Sequence, residues 1–177
     1  MKFRLLEMRS YMIDEDNKLF DMLQEIPEMD EFGQTNVFFG KSKEEIKEII
    51  SYNVKIAYSL ETTRNVKPVE FFVLYAESNP VCVGGLRLRL NNYWKRHGGN
   101  LWYKTRPSER NKGYATKFVE LVCDRAKEFG LKEITAQCNK LNLGSNRVLQ
   151  KNDFSFYENS LCLGWNDTNF YIKILKK

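Results

Sequence analysis

One junction constrains this chain more than any other. A β-type run, Leu101–Thr105, leads through the basic turn Arg110-Asn111-Lys112-Gly113-Tyr114-Ala115 into a strongly amphipathic helix over residues 116–129. Phe118, Val119, Leu121, Val122, Ala126 and Phe129 share one face of that helix, and Gly130 is placed to end it. A helix start leaves its first backbone N–H groups unpaired, and the aligned peptide dipoles give them a partial positive charge. A phosphate satisfies both. Gly113 lets the backbone approach an anion without a side chain in the way, and Ala115 keeps that approach open. Arg110 and Lys112 add full charges, and an arginine can grip phosphate oxygens with two parallel hydrogen bonds. Taken alone, the same turn also fits a basic cap on a surface helix.

Two other phosphate motifs are excluded. The turn is not the loop ending Gly-Lys-Ser/Thr, and its single glycine does not make a Gly-x-Gly-x-x-Gly dinucleotide turn. Nucleotide hydrolysis and hydride transfer lose support accordingly. The chain of 177 residues fits one domain spanning 1–177, with 42% hydrophobic and 14% aromatic residues to build a core. The net charge of +5, from 28 basic and 23 acidic residues spread along the chain, suits an anionic ligand. Nucleic acid is not expected, because no basic block stands out. No run is long and apolar enough to span a membrane, and the first residues lack a signal-peptide pattern, so a cytoplasmic location is expected. Cys82, Cys123, Cys138 and Cys162 are far apart and His97 is the one histidine, so no metal site is expected.

Periodicity assigns the rest. Strands are expected over residues 2–8, 70–77, 81–91, Leu101–Thr105, 132–138, 154–163 and 169–175, and helices over residues 14–25 and Leu143–Lys151. Ser42-Lys43-Glu44-Glu45 has capping-box spacing and opens another helix with Ile46, Ile49, Ile50, Val54 and Ala57 on one stripe. Asn79-Pro80 is read as the hairpin turn, and Leu86-Arg87-Leu88-Arg89-Leu90 as an alternating, half-exposed strand. The order β-α-α-β-β-β-α-β-α-β-β is an α/β layering with a mixed sheet, not a regular doubly wound one.

At this point the sequence resembles the GNAT superfamily of N-acetyltransferases. The segment from Leu101 through Arg110-Asn111-Lys112-Gly113-Tyr114-Ala115-Thr116 is similar to the family's strand, its Arg/Gln-x-x-Gly-x-Gly/Ala pyrophosphate loop and its following helix. Cys138-Asn139-Lys140-Leu141-Asn142-Leu143-Gly144-Ser145-Asn146 and Leu149-Gln150-Lys151-Asn152-Asp153-Phe154 resemble its second acyl-CoA segment. Asp30-Glu31-Phe32-Gly33-Gln34-Thr35-Asn36, Leu88-Arg89-Leu90-Asn91 and Gly98-Gly99 look like a bacterial subgroup of predicted acetyltransferases.

The resemblance implies a GNAT-like fold with a splayed central strand pair that takes the pantetheine of acetyl-CoA between its strands. Backbone groups of Tyr103, Lys104 and Thr105 would bond the pantetheine. Arg110, Asn111, Lys112, Gly113, Tyr114, Ala115 and Thr116 would hold the pyrophosphate, and Asn142, Ser145 and Asn146 would border the arm. An acceptor amine would attack the thioester directly, without a metal. The implied partners are acetyl-CoA and that amine, on a small molecule first and on a protein N-terminus second; a homodimer is an assembly left open. A non-catalytic acyl-CoA-binding module is the alternative.

The individual candidates keep two readings each. Asn142 either bonds the pantetheine or caps the helix after it. Tyr157 is the candidate general acid, against a plain strand residue with its hydroxyl in water. Glu31, in the run Glu28-Met29-Asp30-Glu31, is the candidate base or amine-recognition group, against a solvated acidic loop. Glu70 is a further available carboxylate. The family's frequent strand glutamate is absent from Leu101–Thr105, and Trp102 stands where the subgroup has a small residue. Trp102 therefore narrows the acceptor side or fills the core. His97 reads as an exposed loop residue.

Overall fold

The computed structural model describes residues 1–57, 69–162 and 165–175. Seven strands form one sheet in the order β1-β2-β3-β4-β5-β7-β6. The strands are β1 (Phe3–Glu7), β2 (Glu70–Ala76), β3 (Asn79–Leu86), β4 (Leu101–Thr105), β5 (Glu133–Asn139), β6 (Ser155–Cys162) and β7 (Trp165–Ile174). Only β4 and β5 run parallel; the other neighbours are antiparallel.

Apart from the exposed Asn79, β2 and β3 are buried and carry apolar residues on both faces, as a central pair covered on each side must. One face packs Phe72, Leu74 and Cys82 against α5 (Tyr114–Glu128) and α6 (Leu143–Lys151), through Phe118, Val122 and Leu149. The other packs Phe71, Val73 and Val83 against α1 (Met12–Glu15), α2 (Asn17–Glu25) and α3 (Lys43–Ile56), through Ile13, Leu23, Ile46 and Ile50. The capping box at Ser42 and Glu45 forms as its spacing indicates.

Three expectations are corrected. The single helix over 14–25 is two, because Asp16 leaves helical geometry at φ −127°. Its carboxylate caps α2 at the N–H of Lys18 and Leu19 and accepts the Tyr75 hydroxyl at 2.7 Å. The hairpin turns at Glu77-Ser78, with Glu77 at φ 55°, and Asn79-Pro80 already lie in β3. The strand expected over 81–91 stops at Leu86: the Asn100 side chain caps the Arg87 carbonyl at 2.8 Å, and Asn91 then caps α4 (Asn92–Arg96) through the Trp94 N–H. The Leu/Arg alternation there reflects a bent segment crossing the sheet end. The strand expected over 154–163 also reaches residue 163, which lies outside the described residues.

Candidate active site

The parallel pair β4 and β5 touches only at one end. Leu101 is in register with Ala136, and Gly99 bridges the same residue. Gly99 has to be glycine: it sits at φ 65°, and a Cβ there would lie 2.6 Å from the Thr135 carbonyl oxygen. Beyond Leu101 β4 follows β3, while β5 follows β7 as far as Asn139 opposite Thr168. The two strands part and leave a wedge. The Arg106 N–H bonds the Val81 carbonyl at 3.0 Å, so by antiparallel alternation Trp102 and Lys104 also turn their backbone groups toward β3. The backbone groups of Tyr103 and Thr105 therefore face the wedge. Lys104, expected to offer its backbone there, is directed away.

At the far end of β4 the chain makes a single 3₁₀ turn, Pro107–Glu109, and then enters α5. Glu25 of α2 anchors this turn by pairing with Arg106 and accepting the Ser108 N–H at 2.7 Å. Burial pulls the Glu25 carboxyl upward, but the Arg106 guanidinium and the Ser108 N–H more than offset it and leave it below its usual value. Asn111 at φ 64° and Gly113 at φ 82° then curl the backbone so that successive N–H groups line a concavity. No N–H from Asn111 to Thr116 meets an acceptor among the described residues. A Cβ on Gly113 would meet nothing within 4 Å. Open N–H groups at a helix start favour an anion. Lys112 is tied to Glu109 at 2.8 Å, whereas Arg110 has no ion pair among the described residues.

Opposite the loop, Asn142 caps α6 by accepting the Ser145 N–H at 2.9 Å, so its capping role is real. The Ser145 hydroxyl and the Tyr103 hydroxyl share a hydrogen bond at 2.7 Å across the wedge. Burial pushes the Tyr103 phenol well above its ordinary value. Asn146 has no polar capacity left for a ligand: Oδ1 accepts from Asn169 and Tyr171 at 2.7 Å each, and Nδ2 donates to the carbonyls of Asn139 and Asn142. It ties α6 to the sheet.

On the α3 face the wedge meets a cavity of about 890 Å³. Trp102, Lys104, Gln137 and Cys138 form its sheet side, and Gln34, Tyr52, Tyr93 and His97 line other parts of it. Trp102 both narrows the cavity and packs. Its ring meets Phe71 edge-on at 5.9 Å and fits because Gly85 lies across from it, where a Cβ would fall 2.5 Å from the indole nitrogen. Lys104 donates to Asp30 Oδ2 at 2.8 Å and to the Gln34 carbonyl at 2.9 Å, which fixes the 30–36 loop over the cavity. Arg87 donates from Nη1 to the Gly99 carbonyl at 2.9 Å and stacks 4.9 Å from the Trp94 ring centroid. Its Nε is shut off from solvent without an acceptor, and burial pulls the guanidinium down to about 10. No aspartate or glutamate is among the described residues lining the cavity.

The structure does not bring Tyr157 or Glu31 to this place. Tyr157 sits on the edge strand β6, 48% exposed and packed on Phe170, with β7 between it and β5. Glu31 is exposed and does not line the cavity, and its neighbour Asp30 is already neutralised by Lys104. Glu70 is buried on the α5 face, paired with Arg9. His97 differs from its reading as an exposed residue: it is half-buried, lines the cavity, and packs its ring 4.3 Å from Tyr93. Arg87 and Asn100 carry the cavity end and the wedge apex, and the sequence reading missed both roles. The Gly98-Gly99-Asn100 run was the available signal, because a glycine beside a strand often marks close backbone approach.

Residues 6–155 match the family model described as "Acetyltransferase (GNAT) domain". No curated protein matches the chain. Among solved structures, a ribosomal-protein-S5-alanine acetyltransferase from Vibrio fischeri is 18% identical with a TM-score of 0.72, covering 99% of this chain and 94% of that one. A ribosomal L7/L12 alpha-N-protein acetyltransferase in complex with coenzyme A is 14% identical with a TM-score of 0.69, covering 99% and 95%. The microcin C7 self-immunity acetyltransferase in complex with acetyl-CoA and AMP is 14% identical with a TM-score of 0.68, covering 98% and 92%. The wedge, the open N–H cradle and the family match lead to one statement: this chain belongs to the GNAT family and is an acetyl-CoA-dependent acetyltransferase.

Proposed function

We propose that this enzyme acetylates a primary amine on a small molecule held in the cavity beside Trp102, by direct attack on the thioester of acetyl-CoA. The observation that carries this reading is the continuity of the wedge with that cavity, through Leu101, Trp102 and Cys138. The size supports a small molecule: about 890 Å³ lies within the ordinary range for small-ligand pockets. The ribosomal proteins named for two of the structural relatives, and the AMP bound to a third, are the other acceptors to compare.

In this reading the N–H groups of Asn111 to Thr116, with Arg110, hold the pyrophosphate. The backbone of Tyr103 and Thr105 holds the pantetheine, and the Tyr103–Ser145 pair walls its path. Acetyl-CoA supplies an activated carbonyl. The chain's contribution is to bring the amine to it and exclude competing water, which raises the effective concentration of the two partners. The amine nitrogen bonds the carbonyl carbon as the carbon–sulfur bond breaks, and the electron pair leaves with sulfur. The ammonium first gives up one proton to His97, directly or through water, and the proton left after attack passes to the departing thiolate. A thiolate is a good leaving group, so the sulfur leaves without a dedicated acid and Tyr157 is not required.

The test is release of free coenzyme A from acetyl-CoA across a panel of small primary amines and N-terminal peptides. Release with small amines supports the reading, and release with peptides alone overturns it. Thermal stabilisation by acetyl-CoA with no release for any acceptor would favour a binding module.

A further inference from the structure

The cavity has an unbalanced charge at one end. Arg87 follows Leu86, whose side chain belongs to the α5 face, so its own side chain emerges on the cavity face. It is level with Asn100, whose carbonyl accepts the Arg87 N–H at 2.8 Å, just behind the point where β4 and β5 part. Nη1 is held by the Gly99 carbonyl and the guanidinium is propped on Trp94. Nε and Nη2, the two parallel donors of one guanidinium edge, have no acceptor among the described residues, and Nε is buried.

The two lysines lining the cavity are already compensated. Lys104 is paired with Asp30 at 2.8 Å and Lys41 with Glu45 at 3.7 Å. With no described carboxylate in the lining, a lone cationic amine would enter a net positive chamber. A molecule bringing its own anion would not. The wedge opens just beyond Leu101, one to two strand residues from the level of Arg87, or about 3–7 Å. That is the separation of two groups on one small molecule. Trp94, Trp102 and Phe71 give this end of the cavity aromatic walls.

We infer that the acceptor is an anionic amine, a small molecule whose primary amine is accompanied by a carboxylate or phosphate received by Arg87. This inference rests on the acetyl-transfer reading for the amine, but the anion site can be tested without turnover.

The experiment is calorimetric binding, in the presence of coenzyme A, of pairs matched except for charge. Phenylalanine against phenylalanine amide probes the carboxylate, and phosphoethanolamine against ethanolamine probes the phosphate. The anionic member of at least one pair should bind about tenfold or more tightly than its neutral partner, the scale of a charge-assisted hydrogen bond. In Arg87→Gln that ratio should fall to near one, and Arg87→Lys should keep part of it. Undiminished stabilisation of both variants by acetyl-CoA verifies that they fold. Equal binding within both pairs, no binding by any member, or an unchanged ratio in Arg87→Gln overturns the inference. Coenzyme A release is scored separately, so an anion preference without turnover would count against the transfer reading alone.

Discussion

Asn100 Oδ1 accepts the Thr135 N–H at 2.9 Å and the Thr135 hydroxyl at 3.0 Å, and this pair closes the apex from which β4 and β5 diverge. Its Nδ2 reaches back to the Arg87 carbonyl at 2.8 Å, so one side chain joins β5 to the ends of β3 and β4. Asn100→Ala leaves a part-buried N–H and a part-buried carbonyl without these partners. The expected loss is about 2–4 kcal/mol of stability, seen by denaturant unfolding, together with weaker acetyl-CoA binding. A variant as stable as the parent would mean that the apex is held by the backbone alone.

Gly113 separates a ligand effect from a folding effect. Its φ of 82° is strained for any other residue, yet an added Cβ meets no protein atom within 4 Å. Gly113→Val should cost about 1–3 kcal/mol of stability from backbone strain. Its acetyl-CoA affinity should fall by at least tenfold, because the side chain overhangs the open N–H groups. Equal affinity measured by calorimetry would remove the loop from the binding site.

Direct attack predicts that no enzyme nucleophile is needed. Cys138 lines the cavity, but burial pushes its thiol up to about 11, so it is protonated near neutral pH. Cys138→Ala should keep turnover within a few-fold, and mass spectrometry of the parent mixed with acetyl-CoA alone should show no acetylated cysteine. A trapped acetyl-enzyme that disappears in Cys138→Ala would replace direct attack with a two-step route.

Glu25 links α2 to the turn before α5 through Arg106 and Ser108, and its carboxyl lies below the usual 4.5 in the folded protein. A depressed folded pKa means that the native state binds fewer protons than the unfolded chain just below pH 4.5. Glu25 therefore stabilises the fold above that pH and loses the contribution as acidification passes its folded value. Thermal unfolding of the parent and Glu25→Gln should differ at pH 7 and converge in acid. A difference that does not shrink as the pH falls below 4.5 would place the effect elsewhere.

The turn with its open N–H groups was legible in the sequence, because it depends on local geometry. A single glycine between a strand and an amphipathic helix is enough to expose Asn111 to Thr116, and Asn142 announces a helix start by residue type alone. The cavity beside Trp102 was not legible. Arg87, Trp102, Lys104, Gln137 and His97 are scattered along the chain, and only the ordering of β3, β4 and β5 brings them to one cavity. Tyr157 failed to reach the site for the same reason: β7 inserts between β5 and β6, a choice of strand order that periodicity does not encode. The alternation of Leu86 to Leu90 misled because strand-like spacing survives in a bent segment that ends on the Asn91 cap.

Tyr157→Phe accordingly tests the site's boundary. With the hydroxyl on an edge strand and outside the cavity lining, turnover should stay within about twofold. His97→Gln should lower turnover several-fold with little change in acetyl-CoA affinity, because it removes the side chain assigned to take the amine's proton. A steep loss in Tyr157→Phe with no change in His97→Gln would reverse the assignment.

The most direct test of the central claim is the unfolding temperature of the parent protein titrated with acetyl-CoA, set beside the same titration of Gly113→Val. A ligand bound only by the native state at a hundred times its Kd adds about 2.7 kcal/mol of stability. The account predicts a saturable rise for the parent and a curve displaced to at least tenfold higher concentration for the variant. No rise in the parent, or superimposable curves for the two proteins, would contradict it.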